Sequence, residues 1–268
     1  MNRFPAELLA LPVRALRRAT FWWSVGLAAM VALTMAFWPA FQNMRFMEQA
    51  VKMIPPSLAQ AFGVSDLFSP AGYLKGNLYA ILVPLLLVFA AVMSVNSLTA
   101  AEEAAGRLEL YLAQPVDRRW LFAGRGVAAV IAVGCISLVV LVTQLISDAI
   151  VGITVEFGRL LSTVILGALL GLLHGAIGFA VAGLRARPSL VLATGTTVAI
   201  AGYLVSVLFV LSPDLAGWRH ISPWDWALGG DPLLSDTEAW RYLILLVPTL
   251  ALGALGTWAF GRRDVAAA

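Results

Sequence analysis

The chain has 268 residues, of which 60% are hydrophobic and only 12% charged, with a formal net charge of +3 and a mean hydropathy of +0.87. Soluble domains are charged at about a quarter of their positions, so the composition excludes an ordinary soluble domain and indicates an all-α polytopic membrane protein. The basic residues flank apolar runs, as in loops that face anionic lipid, and this removes the nucleic-acid reading that a positive charge would otherwise invite.

Phe4 to Ala19 is a basic amphipathic segment. Arg14, Arg17 and Arg18 share a helical face, and Leu8, Leu9, Val13 and Leu16 supply apolar cover, which suits either an interfacial helix or the positive flank of a span. The first predicted span is 20–38, with Trp22, Trp23 and Trp38 as interfacial anchors. Its apolar part exceeds the roughly 7–15 residues of a signal-peptide core, which favours an uncleaved anchor. Phe41 to Gly76 is polar and longer than an ordinary connection. Pro55 and Pro56 can open a short helix there that Gly63 closes, so the segment is either an extracytoplasmic cap or a mobile loop. The second span is 77–98, interrupted by Pro84.

Asn96 to Arg125 is the one long charged passage between two strongly apolar runs. Thr99 and Glu102 have the spacing of a capping box. Glu103 and Arg107 stand at i and i+4 in the favourable acid-first order. Ala104, Leu108, Tyr111 and Leu112 fall on one helical face, Pro115 stops the helix, and Asp117 can cap the next one. Helix physics alone allows a capped interhelical loop as well as a short amphipathic helix at a membrane surface.

The third span is 120–146. Arg125 in its first turns is expected to snorkel to the surface, and Gln144 and Asp148 mark its far end. The lone cysteine, Cys135, lies in this apolar run and can form neither an intrachain disulfide nor a zinc cluster. The fourth span, 160–184, carries Gly167, Gly171 and Gly175 at four-residue intervals, the small-residue spacing that lets helices approach closely. His174 beside them is either a substrate or proton site or a structural hydrogen-bonding group. No acidic partner occurs within the span, which favours the structural role. The fifth span is 189–211, with Thr194, Thr196 and Thr197 able to bond within the helix or line a path. Ser212 to Ala239 is polar and aromatic, and Trp218, Trp224 and Trp226 suggest a segment lying at the interface. The sixth span is 240–260.

The run Ala101-Glu102-Glu103, then Gly106-Arg107-Leu108-Glu109-Leu110-Tyr111-Leu112-Ala113-Gln114-Pro115-Val116-Asp117-Arg118-Arg119, resembles the E-E-x-x-G-x-L-E-x-L-L-x-x-P-V-x-R pattern of type-two (ABC-2) ABC exporter permeases. Arg107 stands where that family usually has a small polar residue. Ser222-Pro223-Trp224, Gly229-Gly230-Asp231-Pro232 and the ending Gly261-Arg262-Arg263-Asp264 also resemble this family. The resemblance implies an elbow helix before the first span. It also implies a cytoplasmic coupling helix between the second and third spans, whose Glu102, Glu103, Arg107, Leu108, Tyr111, Leu112 and Pro115 contact a separate ATP-binding subunit. A single transmembrane domain, 1–268, would then pair with a second permease copy or a homologue. ATP and magnesium would be bound by the partner, with no cofactor in this chain.

Charge gives the orientation independently. With six crossings, one side collects twelve of the 18 basic residues, among them Arg14, Arg17, Arg18, Arg118, Arg119, Arg185, Arg187, Arg262 and Arg263. The positive-inside rule then places both termini in the cytoplasm of a bacterial plasma membrane. The sequence holds no G-x-x-x-x-G-K-[ST] phosphate loop, no H-E-x-x-H and no G-x-S-x-G, so neither its own ATPase site nor a catalytic site is expected. The resulting expectation is a permease subunit of an ATP-driven exporter. The alternatives are an ion-driven secondary transporter or channel, and a non-transporting assembly or sensor subunit.

Overall fold

The computed structural model describes residues 6–42, 55, 69–108 and 117–263. Every regular element among these residues is helical, and six helical stretches are long and apolar enough to cross a membrane. They run over α1 (Ala6–Ala36) with the short α2 (Trp38–Gln42); α3 (Pro70–Leu74), a π-helical turn (Lys75–Tyr79) and α4 (Leu82–Leu98); α6 (Arg118–Val151); α7 (Phe157–Leu184); α8 (Pro188–Leu208); and α10 (Ala239–Arg262). The single-turn α5 (Ala100–Ala104) follows α4, and α9 (Pro223–Leu228) lies before α10. The expected short helix near Pro55 and Gly63 falls outside the described residues.

Two boundaries differ from expectation, and the expected interruption at Pro84 is present. The basic N-terminal segment is not a separate elbow: it runs unbroken into the first span as one 31-residue helix, with Pro12 inside it. At 1.5 Å per residue that helix is about 46 Å long, against a hydrocarbon core of about 30 Å. Arg14, Arg17 and Arg18 stay exposed, while Leu16 packs on Leu98, Ala128 and Ala132 with Leu9 and Val13 beside it. The second span begins earlier than residue 77, at Pro70, where Ser69 accepts a hydrogen bond from Gly72 N–H at 3.0 Å. Its backbone breaks at Ile81 (φ −138°, ψ −59°), three residues before Pro84. Proline cannot donate to the carbonyl four residues back, and its ring crowds that carbonyl, so the break falls one turn upstream.

α7 is the hub of the bundle, touching α4, α6, α8, α9 and α10. Its glycines explain this position. A Cβ on Gly171 would sit 2.9 Å from the Leu87 carbonyl oxygen of α4, and one on Gly175 would sit 3.1 Å from the Ala91 methyl. Gly256 of α10 meets the other side of α7, where a Cβ would lie 2.8 Å from the Phe179 carbonyl oxygen. Small side chains let backbones approach until dispersion contacts hold them, and these contacts act between helices in lipid without help from water.

The segment before α10 is folded into the bundle rather than laid along its surface. Ser222 caps α9 by accepting from Trp224 N–H at 3.1 Å and donates its hydroxyl proton to the Gly202 carbonyl at 2.6 Å. Trp224 is 2% exposed, and its indole N–H donates to the Ala199 carbonyl at 2.9 Å. Only Trp218 of the three tryptophans stands well out, at 61% exposure.

Candidate functional site

The residues just beyond α4 gather at the end of the bundle that also carries the starts of α6 and α8 and the end of α10. Thr99 does not form the expected capping box. Its hydroxyl donates backwards to the Val95 carbonyl at 2.6 Å, and no side chain caps α5. Glu102 and Glu103 are left free to reach across to other helices. Glu102 Oε2 lies 2.7 Å from Arg125 of α6, and Glu103 Oε2 lies 2.5 Å from Arg263 beyond α10.

These pairs replace two expected arrangements. Arg125 does not snorkel to solvent; its side chain is 4% exposed and ion-paired to Glu102. Glu103 does not pair with Arg107, because Gly106 ends the helix with a left-handed backbone (φ +70°). That conformation is characteristic of helix C-termini and favours glycine. Once the helical register stops there, Arg107 no longer lies one turn above Glu103. Arg107 is exposed, as is Ala104, whereas Leu108 is 1% exposed, so Ala104 and Leu108 do not share a face. Leu108 packs with Val95, Leu121, Phe122, Phe179, Val191 and Phe260. Tyr111, Leu112 and Pro115 lie outside the described residues.

The arrangement is a short arm held at three points. Glu102 ties it to α6, Glu103 to the end of α10, and Leu108 to an apolar core shared by α4, α6, α7, α8 and α10. Phe122 stacks on Phe260 at 4.4 Å between centroids directly behind it. Around the arm stand exposed Arg107, Arg118, Arg119, Arg185, Arg187 and Arg262, and Asp117 caps α6 by accepting from Arg119 N–H at 2.8 Å. Through Leu108 and the two ion pairs the arm contacts side chains of α4, α6, α7 and α8 and of the α10 end.

The opposite end carries two polar groupings that spacing alone did not assemble. Tyr79, Gln144 and Asp148 form a buried chain: the Tyr79 hydroxyl donates to Gln144 Oε1 at 3.2 Å, and Gln144 Nε2 donates to Asp148 Oδ1 at 2.7 Å. Nearby, a cavity of about 110 Å³ has a mixed lining, with Lys75, Tyr79, Thr163, Arg219 and Asp225 beside Ile81, Val207, Val210, Leu228 and Leu233. Lys75 is ion-paired to Asp231 at 2.5 Å, and Asp225 receives His220 at 2.7 Å and Arg219 at 3.5 Å. The sequence signal for these was weak, since Lys75, Asp148 and Asp231 lie on three separate elements. Gly167 faces Leu87 at 3.6 Å, continuing the line of Gly171 and Gly175 along α4. His174 is fully buried, with Nδ1 2.8 Å from the Leu170 carbonyl of its own helix. No group of three or more His, Cys, Asp or Glu that could hold a metal occurs among the described residues.

No curated protein matches the chain significantly. A family model described as "Multidrug efflux system permease Rv1217c, C-terminal domain" matches residues 6–261. That span takes in all six membrane-length helices, the arm between α4 and α6, and the folded segment before α10. The chain therefore belongs to this family of transporter permeases and is a multi-pass membrane protein.

Proposed function

We propose that this chain is the membrane subunit of an ATP-driven ABC exporter, working with a separate ATP-binding subunit and a second permease copy or homologue. The observation that carries the reading is the arm from Ala100 to Leu108, anchored to α6 by Glu102 and to the end of α10 by Glu103. A coupling element has to press differently on two states of the transporter to shift the balance between them. An arm tied to two other helical elements by close ion pairs transmits such a difference, whereas a slack loop does not. The family's description as part of an efflux system agrees with a multi-component exporter. On this reading nucleotide is bound by the partner, in keeping with the lack of a G-x-x-x-x-G-K-[ST] loop in the sequence given. The basic end on this reading faces the cytoplasm of a bacterial plasma membrane.

One observation favours the ion-driven alternative. Asp148 is a buried carboxylate in the last turn of a membrane-length helix, 2.7 Å from Gln144, and a buried carboxylate at the mouth of a bundle can serve an ion or proton pathway. Inside-out vesicles separate the two readings. Uptake that requires ATP and survives collapse of the ion gradients supports the ABC exporter; uptake that follows the gradient without nucleotide overturns it.

A further inference from the structure

α6 and α10 touch at the basic end through Phe122 and Phe260, yet part on the lipid side of that stack. The gap is a crevice of about 500 Å³, within the roughly 300–1,000 Å³ of small-molecule sites. Its floor is the buried Ala91 and Val95 of α4 and Gly175, Ala176 and Phe179 of α7. Its rims are exposed: Val127 and Val130 on α6, and Leu250, Ala254 and Trp258 on α10. From Arg119 to Val130 the crevice runs along twelve residues of α6, about 16 Å. Small residues, Gly126, Gly253 and Ala254 among them, keep it open.

The two ends of the crevice differ in charge. At the basic end Arg119 lines it, and Arg262 stacks on the rim residue Trp258 at 4.3 Å. Toward mid-bundle the lining is apolar apart from Thr249 and Thr257. These hydroxyls donate to their own helix, to the Leu245 carbonyl at 2.7 Å and the Gly253 carbonyl at 2.9 Å, so they offer no free donor. A long apolar slot open sideways, with two guanidinium groups at one end, matches a single alkyl chain carrying an anionic head. It disfavours a lipophilic cation at the charged end, and away from Arg119 it offers a hydrophilic solute only the acceptor lone pairs of Thr249 and Thr257.

We propose that this crevice holds one acyl chain of an anionic phospholipid taken from the leaflet at the basic end, with the lipid phosphate on Arg119 and Arg262. Charge-assisted hydrogen bonds from guanidinium groups to phosphate are strong and directional in either lipid, and the quaternary ammonium of a zwitterionic head is repelled by the same two cations, so net head-group charge sets selectivity while the slot supplies chain affinity. The occupied slot wedges α6 from α10 beside the arm that Arg125 and Arg263 hold.

The test is native mass spectrometry of the purified full chain in mixed micelles containing phosphatidylglycerol and phosphatidylcholine of the same chain length. Retention of phosphatidylglycerol over phosphatidylcholine by about tenfold is expected. Gly253→Leu should abolish retention of both lipids without unfolding the chain, because a Cβ there meets nothing within 4 Å. The Arg119→Gln/Arg262→Gln variant should bring phosphatidylglycerol down to the phosphatidylcholine level while chain binding persists. Equal retention of the two lipids by the wild type would overturn the proposal. So would unchanged retention by Gly253→Leu, or tighter retention of dodecyltrimethylammonium than of phosphatidylglycerol. None of these readouts depends on what drives transport.

Discussion

Glu102 and Arg125 are joined at 2.7 Å, a carboxylate on the arm between two spans and a guanidinium 4% exposed in the next helix. Two charges held this close in a largely water-excluded place fix one another's position. Residues in direct contact couple by about 0.5–3 kcal/mol. Glu102→Gln is therefore expected to lower the thermal unfolding temperature of the purified chain, and so is Arg125→Gln. The double variant should lose less than the two single losses combined, because both remove the same contact. Strict additivity would show that the pair does not couple.

Arg107 and Leu108 are neighbours with opposite exposures, and they separate docking from folding. Leu108→Asp places a carboxylate in the cluster of Phe122, Phe179 and Phe260 and should reduce the amount of folded protein in the membrane, since an unpaired buried charge is not tolerated. Arg107→Glu changes only an exposed charge. It should leave membrane abundance intact and weaken capture of the ATP-binding subunit. Pull-down at equal membrane abundance checks the pair. Full capture by Arg107→Glu would show that this part of the arm does not face the partner.

The glycines of the bundle divide by what lies opposite. Gly171→Leu pushes a side chain into the Leu87 carbonyl and should cut the yield of folded protein, whereas Gly134 of α6 has nothing within 4 Å, so Gly134→Leu should behave as wild type. Overpacking a tight contact commonly costs about 1–3 kcal/mol. Equal melting temperatures for the two variants would show that α7 and α4 can part at Gly171 without loss.

Much of the fold was legible because hydrophobic run length and proline position are direct physical constraints. The spans at 120–146, 160–184, 189–211 and 240–260 lie inside the observed helices to within a few residues. The arm was harder. Gly106 carried the signal for a helix stop, but Glu103 and Arg107 also had the spacing of an intrahelical pair, and that local pattern competed with the glycine. The long-range partners Arg125 and Arg263 could not be read from spacing, because the contacts to Glu102 and Glu103 depend on how α6 and α10 pack. Trp224 misled for a related reason. Tryptophan near a span suits the interface, and only the close approach at Gly202 makes room for its ring inside, where a Cβ would lie 3.3 Å from it.

Asp148 offers the sharpest separation of the ATP-driven and ion-driven readings. Its Oδ1 accepts the Gln144 amide proton at 2.7 Å, and an asparagine in its place keeps an oxygen able to accept the same bond. Asp148→Asn thus removes the charge while conserving shape and the hydrogen bond to Gln144. If an ATP-binding subunit drives the cycle, the carboxylate has only a structural part. Transport in ATP-loaded inside-out vesicles should then stay near the wild-type level, and thermal stability should hold or rise, because an ionised group no longer has to be kept out of water. If an ion gradient drives the cycle through this carboxylate, the variant should fold normally and lose gradient-driven uptake, as expected for a residue that carries the coupling ion. Wild-type stability combined with abolished transport would therefore overturn the exporter reading, and retained ATP-dependent transport would remove the strongest observation on the other side.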